Sequence, residues 1–146
     1  MKQRGFTLLE VMVAMLIVSI GLVGLAGLLI TGSKNNQSAY HRSQASWMAY
    51  DILDRMRANR TLAQNGTYNL TVGATPTVTG TALTDLTQWT TQIANALPDG
   101  RGGVNVNATL GIIEVTVRWN DSRGLGLAPT GFVGNVAQSV MLRTKL

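Results

Sequence analysis

Cysteine is absent from this 146-residue chain, and charged side chains make up only 13% of it. Without cysteine the chain forms no disulfide and has neither a thiolate nucleophile nor a Cys-type metal site. A single histidine is present, and neither an H-E-x-x-H zinc motif nor a G-x-S-x-G nucleophile motif occurs. Asp51 and Asp54 are interpreted as helix-surface acids paired with Arg55 or Arg57. We therefore expect neither an enzyme nor a bound metal or cofactor.

The positive charge of the chain is modest. The formal net charge is +5, and leaving out Lys2 and Arg4 gives 10 Lys and Arg against 7 Asp and Glu, or +3. Such a small excess does not by itself indicate a nucleic-acid partner. We expect no nucleic acid, and we interpret the basic residues near the C-terminus as a solvated strand face.

A long apolar run lies in the N-terminal part of the chain. Residues 11–30 contain Ser19 as their only polar side chain, and Lys34 is the first charge after them. At about 1.5 Å per residue, a 20-residue helix spans about 30 Å, which matches the hydrocarbon thickness of a bilayer. The basic residues Lys2 and Arg4 place the N-terminus in the cytoplasm by the positive-inside rule.

Three interpretations of this run compete. A secretory signal peptide has a shorter apolar core followed by a small-residue cleavage site, and no convincing site follows the run here. A plain signal anchor accounts for the length and the basic flank. It leaves Glu10 unexplained, because an ionisable side chain in a membrane helix is costly and is usually functional. The third interpretation is a leader that is cleaved before the apolar run.

The segment Arg4–Val11, RGFTLLEV, resembles the signal of the type IV pilin family: a basic stub, a glycine, a phenylalanine and an acid four residues later. The resemblance implies that a prepilin peptidase cleaves between Gly5 and Phe6 on the cytoplasmic side. It also implies that the new Phe6 amine is methylated and that the apolar helix is retained. Because glycine has no Cβ, the backbone at Gly5 can approach the protease closely.

Glu10 would gain a partner from this cleavage. The resemblance implies that Glu10 of an incoming subunit pairs with the Phe6 amine of a neighbour inside an apolar filament core. Pairing would offset the cost of placing either charge there alone. The alternative is that the Glu10 side chain only extends to the lipid headgroups.

Three glycines recur at every third position of the apolar run, Gly21, Gly24 and Gly27. Small residues let neighbouring helices approach closely, and glycine weakens a helix by about 1 kcal/mol relative to alanine. The pattern is interpreted either as a segment that packs tightly or locally melts among neighbouring subunits, or as ordinary lipid-facing glycine. The sequence leaves both interpretations open.

The rest of the chain predicts a small α+β head. Apolar residues at three- and four-residue spacing continue the long helix to about Asn59 without an interrupting proline. Strict alternation over residues 113–119 predicts a half-buried strand. The other predicted elements are an irregular connection over 61–84, a short helix that starts with Asp85 as its cap and ends near Leu97, a strand at 104–107, and a last strand at 136–146 with Val140 and Leu142 inward. Together they predict a long helix packed on a small antiparallel sheet.

The apolar helix, the segment QWTTQIANALPDGRGGV and the strand VTVRWND together resemble the minor pilins of the PilV type, also called type IV pilus modification proteins. The resemblance implies a leader (1–5), a transmembrane and assembly helix (6–32) and a periplasmic head (33–146). Many pilin heads close their C-terminal region with a disulfide. Because this chain has no cysteine, packing and hydrogen bonds must order residues 124–134 instead.

The same resemblance implies a function. It describes an inner-membrane protein that helps to initiate a type IV pilus, is incorporated in it and supports twitching motility. The implied partners are other minor and major pilins contacted through the N-terminal helix, the prepilin peptidase, the assembly platform and membrane lipid. A minor pseudopilin of a type II secretion system and a plain membrane-anchored interaction protein are the alternatives.

Overall fold

The computed structural model describes residues 5–122 and 137–145. These residues form α1 (Leu8–Ala58), α2 (Arg60–Gln64), α3 (Thr81–Ala96), β1 (Arg101–Asn107), β2 (Ile112–Asn120) and β3 (Ala137–Lys145). The predicted α+β arrangement is confirmed: a long N-terminal apolar helix precedes a three-stranded antiparallel sheet. The expectations for Lys2, Arg4 and the 124–134 segment lie outside the described residues.

Helix α1 is 51 residues long, or about 77 Å at 1.5 Å per residue. Its N-cap is Thr7, whose hydroxyl accepts a hydrogen bond from the Glu10 backbone N–H at 3.3 Å. At the other end, the Asn59 backbone N–H donates to the Arg55 carbonyl at 3.1 Å. The predicted helix from Phe6 to about Asn59 is therefore confirmed, although it begins two residues later, after the cap.

The two halves of α1 have different surroundings. Every described residue from 5 to 37 is exposed, and α1 is the one helix in the described parts of the chain that is long and apolar enough to cross a membrane. Further along, α1 buries Ala45, Ala49, Ile52 and Met56 in the head. The first half thus has no packing partner among residues 5–122 and 137–145, while the second half forms one wall of the head core. The division into 1–5, 6–32 and 33–146 remains a prediction.

The sheet packs against this second half. Its order is β1-β2-β3, with Val104 opposite Val115 and Val117 opposite Val140. The predicted alternation of β2 is confirmed, because Ile113, Val115, Val117 and Trp119 are all buried. Val140 and Leu142 of β3 pack against the same core, as predicted.

Strand β1 begins at Arg101, three residues before the predicted start, because two glycines bring its backbone close to neighbouring elements. A Cβ at Gly102 would lie 2.5 Å from the Trp89 ring of α3, and one at Gly103 would lie 2.5 Å from Val72. Only glycine fits such close approaches. The predicted strand started at Val104 because the sequence pattern does not reveal the partners of these glycines.

Two predictions about the connection and the short helix are wrong. Residues 61–84 are not wholly irregular, since α2 lies at Arg60–Gln64 and α3 begins at Thr81. Asp85 does not cap α3: the N-cap is Gly80, with a φ of 71°. The Asp85 carboxylate instead accepts a hydrogen bond from the Tyr68 hydroxyl at 2.6 Å. The cap prediction is wrong because the Asp85 carboxylate bonds the Tyr68 hydroxyl instead of a backbone N–H at the start of its own helix.

Candidate processing and assembly site

The predicted cleavage site lies just before α1. Gly5, Phe6 and Thr7 are not helical, and the Phe6 side chain is 83% exposed. A Cβ placed on Gly5 would meet no atom within 4 Å. Nothing in the described chain therefore requires glycine at this position, and the Gly5–Phe6 peptide bond is open to an external protein. Cleavage there remains a prediction.

Glu10 lies in the first turn of α1, where the spacing Thr7-x-x-Glu10 is that of a capping box. The Glu10 backbone N–H is held by Thr7, and its carboxylate lies near the positive end of the helix dipole. Phe6, Glu10 and Ala14 line one shallow groove along the helix. Within 5–122 and 137–145 no cationic group lies within 4 Å of the Glu10 carboxylate. The cap therefore orders the backbone of this segment without occupying the carboxylate.

The three glycines of the apolar half have open space around them in the described structure. A Cβ at Gly21, Gly24 or Gly27 would meet nothing within 4 Å, and none of the three has a positive φ. The hydroxyls in this half are satisfied locally: Ser19 donates to the Met15 carbonyl at 2.7 Å, and Thr31 donates to the Gly27 carbonyl at 3.0 Å. Such bonds make a helix compatible with an apolar environment.

A polar cluster in the head was not indicated by the sequence pattern. Asp85 of α3 accepts from Tyr68 at 2.6 Å and from Asn59 at 3.4 Å, and lies 3.6 Å from the Arg55 guanidinium. Burial of Tyr68 and the adjacent Asp85 carboxylate raise the pKa of Tyr68 to about 12. The cluster joins both helices to the connection between them, so its role in the described chain is structural.

The acids that the sequence assigned to the helix surface are paired as predicted. Asp51 lies 3.1 Å from the Arg55 Nε atom, and Asp54 lies 2.7 Å from the Arg57 Nη1 atom. Both pairs are one helical turn apart, where oppositely charged side chains meet. We therefore assign these acids to helix stabilisation.

Two polar side chains of the described head, His41 and Asp121, are buried. Asp121 follows β2 and accepts a hydrogen bond from the Ser38 hydroxyl at 2.5 Å. His41 lies one turn further along α1 and is 8% exposed, and its two ring nitrogens have no hydrogen-bond partner among the described residues. No group of three or more His, Cys, Asp or Glu side chains that could hold a metal occurs in the part of the chain that the structure describes.

Comparison with known proteins bears on the N-terminus. Residues 1–26 match the family described as the prokaryotic N-terminal methylation motif. The chain carries a prepilin-type N-terminus. Together with the α+β arrangement, this match supports a type IV pilin-like protein with a membrane-anchoring helix, although it covers 26 of the 146 residues and does not reach the head. No curated protein and no solved structure matches the chain.

Proposed function

We propose that this protein is a minor pilin of the PilV type. It is inserted in the bacterial inner membrane with its N-terminus in the cytoplasm and its head in the periplasm. After cleavage between Gly5 and Phe6 and methylation of the Phe6 amine, it helps to initiate a type IV pilus and is incorporated in it. The observation that carries this proposal is the prepilin-type motif, which covers residues 1–26 and so includes the first part of a long helix that stays exposed as far as residue 37.

The exposed apolar half of α1 needs a covering that the described residues do not supply. Side chains such as Leu8, Leu16, Val23 and Leu29 are all more than half exposed. Contiguous apolar surface of this size marks a membrane or protein contact. In the proposed role lipid covers it before assembly, and the helices of neighbouring subunits cover it in the filament.

Moving this helix from lipid to a filament core exchanges one apolar environment for another. The hydrophobic effect therefore contributes little to the transfer, and close packing and polar pairs must select the arrangement. Gly21, Gly24 and Gly27 leave room for a neighbouring backbone, and nothing in the described chain fills that room. These glycines are therefore assigned to contacts between subunits.

We assign Glu10 a role in setting the register, that is, the axial position of one subunit relative to its neighbour. A charged side chain costs about 2.5–3.5 kcal/mol at the centre of a membrane helix, and less near its end. The carboxylate has no cationic partner within the described residues, while cleavage at Phe6 creates a positive amine on every subunit. A register that pairs the two groups offsets both costs, and any other register leaves two unpaired charges in an apolar core.

The intact mass of the mature protein tests the proposal directly. We expect protein isolated from membranes and from sheared filaments to have lost Met1–Gly5 and gained one methyl group. A mass that retains Met1–Gly5, or lacks Met1 alone, would indicate a plain membrane anchor instead. The measurement needs no assumption about the head.

The second candidate is a minor pseudopilin of a type II secretion system. The prepilin-type motif favours it equally, because the match covers residues 1–26, which hold the leader and the first part of the helix that the two classes share. Deletion of the gene separates them. Loss of surface pili and twitching supports the minor pilin, whereas retained pili with loss of secreted enzymes supports the pseudopilin. In both cases the proposed role is interaction rather than catalysis.

A further inference from the structure

The aromatic side chains that the structure describes in the head fall into a buried and an exposed set. Tyr68, Trp89 and Trp119 are buried, whereas Tyr40, Trp47 and Tyr50 are exposed, Trp47 by 78%. At 3.6 residues per turn, the three exposed side chains fall within an arc of about 80° around the axis of α1, so they share one face of the helix. Tyrosine and tryptophan are enriched where proteins meet. This face of α1 therefore carries the exposed aromatic side chains of the described head and is a candidate contact surface.

Trp47 borders a groove of about 480 Å³ between α1 and α3. The groove is lined by Gln44, Trp47, Met48 and Asp51 of α1 and by Gln92, Asn95 and Ala96 of α3. Beneath it, the buried Trp89 indole N–H donates to the Met48 carbonyl at 2.8 Å and ties the two helices together. The groove is therefore a preformed feature of the helix pair rather than a gap between loosely joined segments.

The polar atoms of the groove favour a cation. Its lining contains no lysine or arginine, and its one acid is Asp51, whose side chain is 43% exposed. Asp51 Oδ2 accepts from Arg55, which leaves Oδ1 without a bond from the described residues. The Gln44 amide nitrogen donates to the Tyr40 hydroxyl at 3.2 Å, so its carbonyl oxygen is available to another donor. An exposed indole adds a face to which Lys and Arg side chains are attracted.

We propose that this groove receives a lysine or arginine side chain from the head of a neighbouring pilin-like subunit. The cationic group lies over the Trp47 ring and bonds Asp51 Oδ1, while its aliphatic stem covers Met48 and Ala96. The proposal rests on the proposed function. Because α1 is one unbroken helix, a subunit packed along its exposed apolar half is held beside the same helix at Trp47, about 26 Å beyond Ile30.

Photo-cross-linking in cells tests which protein occupies the groove. A photo-reactive phenylalanine derivative replaces Asn95 in the full-length chain, which leaves Trp47 and Asp51 unchanged. Two further chains carry it at Met15 in the apolar half, or at Leu110 in the turn between β1 and β2. We expect position 95, but not position 110, to cross-link to a protein that mass spectrometry identifies as carrying a prepilin-type N-terminus.

Position 15 separates failure of this proposal from failure of the proposed function. Cross-links from Met15 to pilin-like subunits, with none from position 95, would overturn the groove contact and leave the proposed function standing. Absence of cross-links from both positions would contradict both. A product at position 95 with a protein that lacks a prepilin-type N-terminus would also overturn the groove contact.

Substitutions of Gln92 test the charge of the occupant. Gln92 is exposed and lies inside α3, four residues before its end, and Gln, Glu and Lys have similar helix propensities. We expect Gln92→Glu to raise the cross-link yield from position 95 at least twofold and Gln92→Lys to lower it at least threefold. Equal yields from the two variants would show that the occupant is not a cation and would overturn the proposal.

Trp47 itself is tested against a matched aromatic residue. We expect Trp47→Ala to lower the yield from position 95 at least threefold. Tyr50→Ala removes an exposed aromatic ring from the same helix that does not line the groove, and we expect it to change the yield less than twofold. Equal losses from the two variants would assign the effect to the exposed face as a whole and would contradict the groove contact.

Discussion

Replacing Tyr68 with phenylalanine isolates one bond of the polar cluster that joins α1, α3 and their connection. The Tyr68 side chain is fully buried, and its hydroxyl donates to Asp85 at 2.6 Å. Tyr68→Phe keeps the ring and removes only the hydroxyl, while Asp85 keeps Asn59 and Arg55 nearby. A hydrogen bond to a charged group contributes about 1.5–3 kcal/mol. We therefore expect the free energy of unfolding at pH 7 to fall by about 2 kcal/mol.

The same substitution has a signature at high pH. Burial and the Asp85 carboxylate raise the pKa of Tyr68 from 10.0 to about 12. Below pH 10 the hydroxyl is protonated in both the folded and the unfolded chain, so its contribution is complete. Between pH 10 and 12 the unfolded chain loses the proton first, and stability falls as the pH rises. At about 1.36 kcal/mol per pH unit, the wild-type protein loses on the order of 2–3 kcal/mol across this range.

Urea unfolding in detergent micelles, followed by the fluorescence of the buried tryptophans, measures both effects on the full-length chain. Tyr50→Phe is the matched control, because the Tyr50 side chain is about half exposed and surface changes usually stay within about 0.5 kcal/mol. We expect this control to keep the high-pH loss and Tyr68→Phe to lack it. If Tyr68→Phe loses as much stability between pH 10 and 12 as the wild type, the assignment to Tyr68 is wrong.

Three further substitutions test processing, filament assembly and packing of the head. Gly5→Val should leave the protein in the membrane at its uncleaved mass; a methylated mature form would contradict the role of Gly5. Glu10→Ala should permit cleavage but lower incorporation into filaments at least tenfold on immunoblots, and normal incorporation would refute the pairing with Phe6. Gly102→Ala places a Cβ 2.5 Å from the Trp89 ring and should cost about 1–3 kcal/mol in urea unfolding. An unchanged midpoint would show that β1 can move away.

Much of the fold could be predicted because its signals are local. The apolar run and the spacing from Ala45 to Met56 predicted α1, and the alternation from Ile113 to Trp119 predicted β2. Both patterns repeat along a single segment with the period of the element that they form. The start of α3 was missed because Gly80 caps it with a positive φ, for which no side chain provides a signal.

The functional residues also divide into a part that the sequence predicted and a part that it did not. Gly5, Phe6 and Glu10 were found as one contiguous motif, and the comparison with known proteins matches the segment that contains them. Their roles in cleavage and pairing remain predictions, since they depend on other proteins. The groove beside Trp47 was not found, because it needs Gln92 and Asn95 of α3 next to a residue 45 or more positions earlier.

The amino-acid sequence alone specifies the N-terminal third of this protein. Its prepilin-type motif, its apolar length and its helical period all appear within a few turns, and its residues 5–37 are exposed in the part of the chain that the structure describes. The head is different. Three of its features require residues far apart in sequence to meet: the hydrogen bond between Asp85 and Tyr68, the burial of Asp121 beside Ser38, and the groove at Trp47. Folding alone creates these contacts, because burial and hydrogen bonding there depend on which elements pack together.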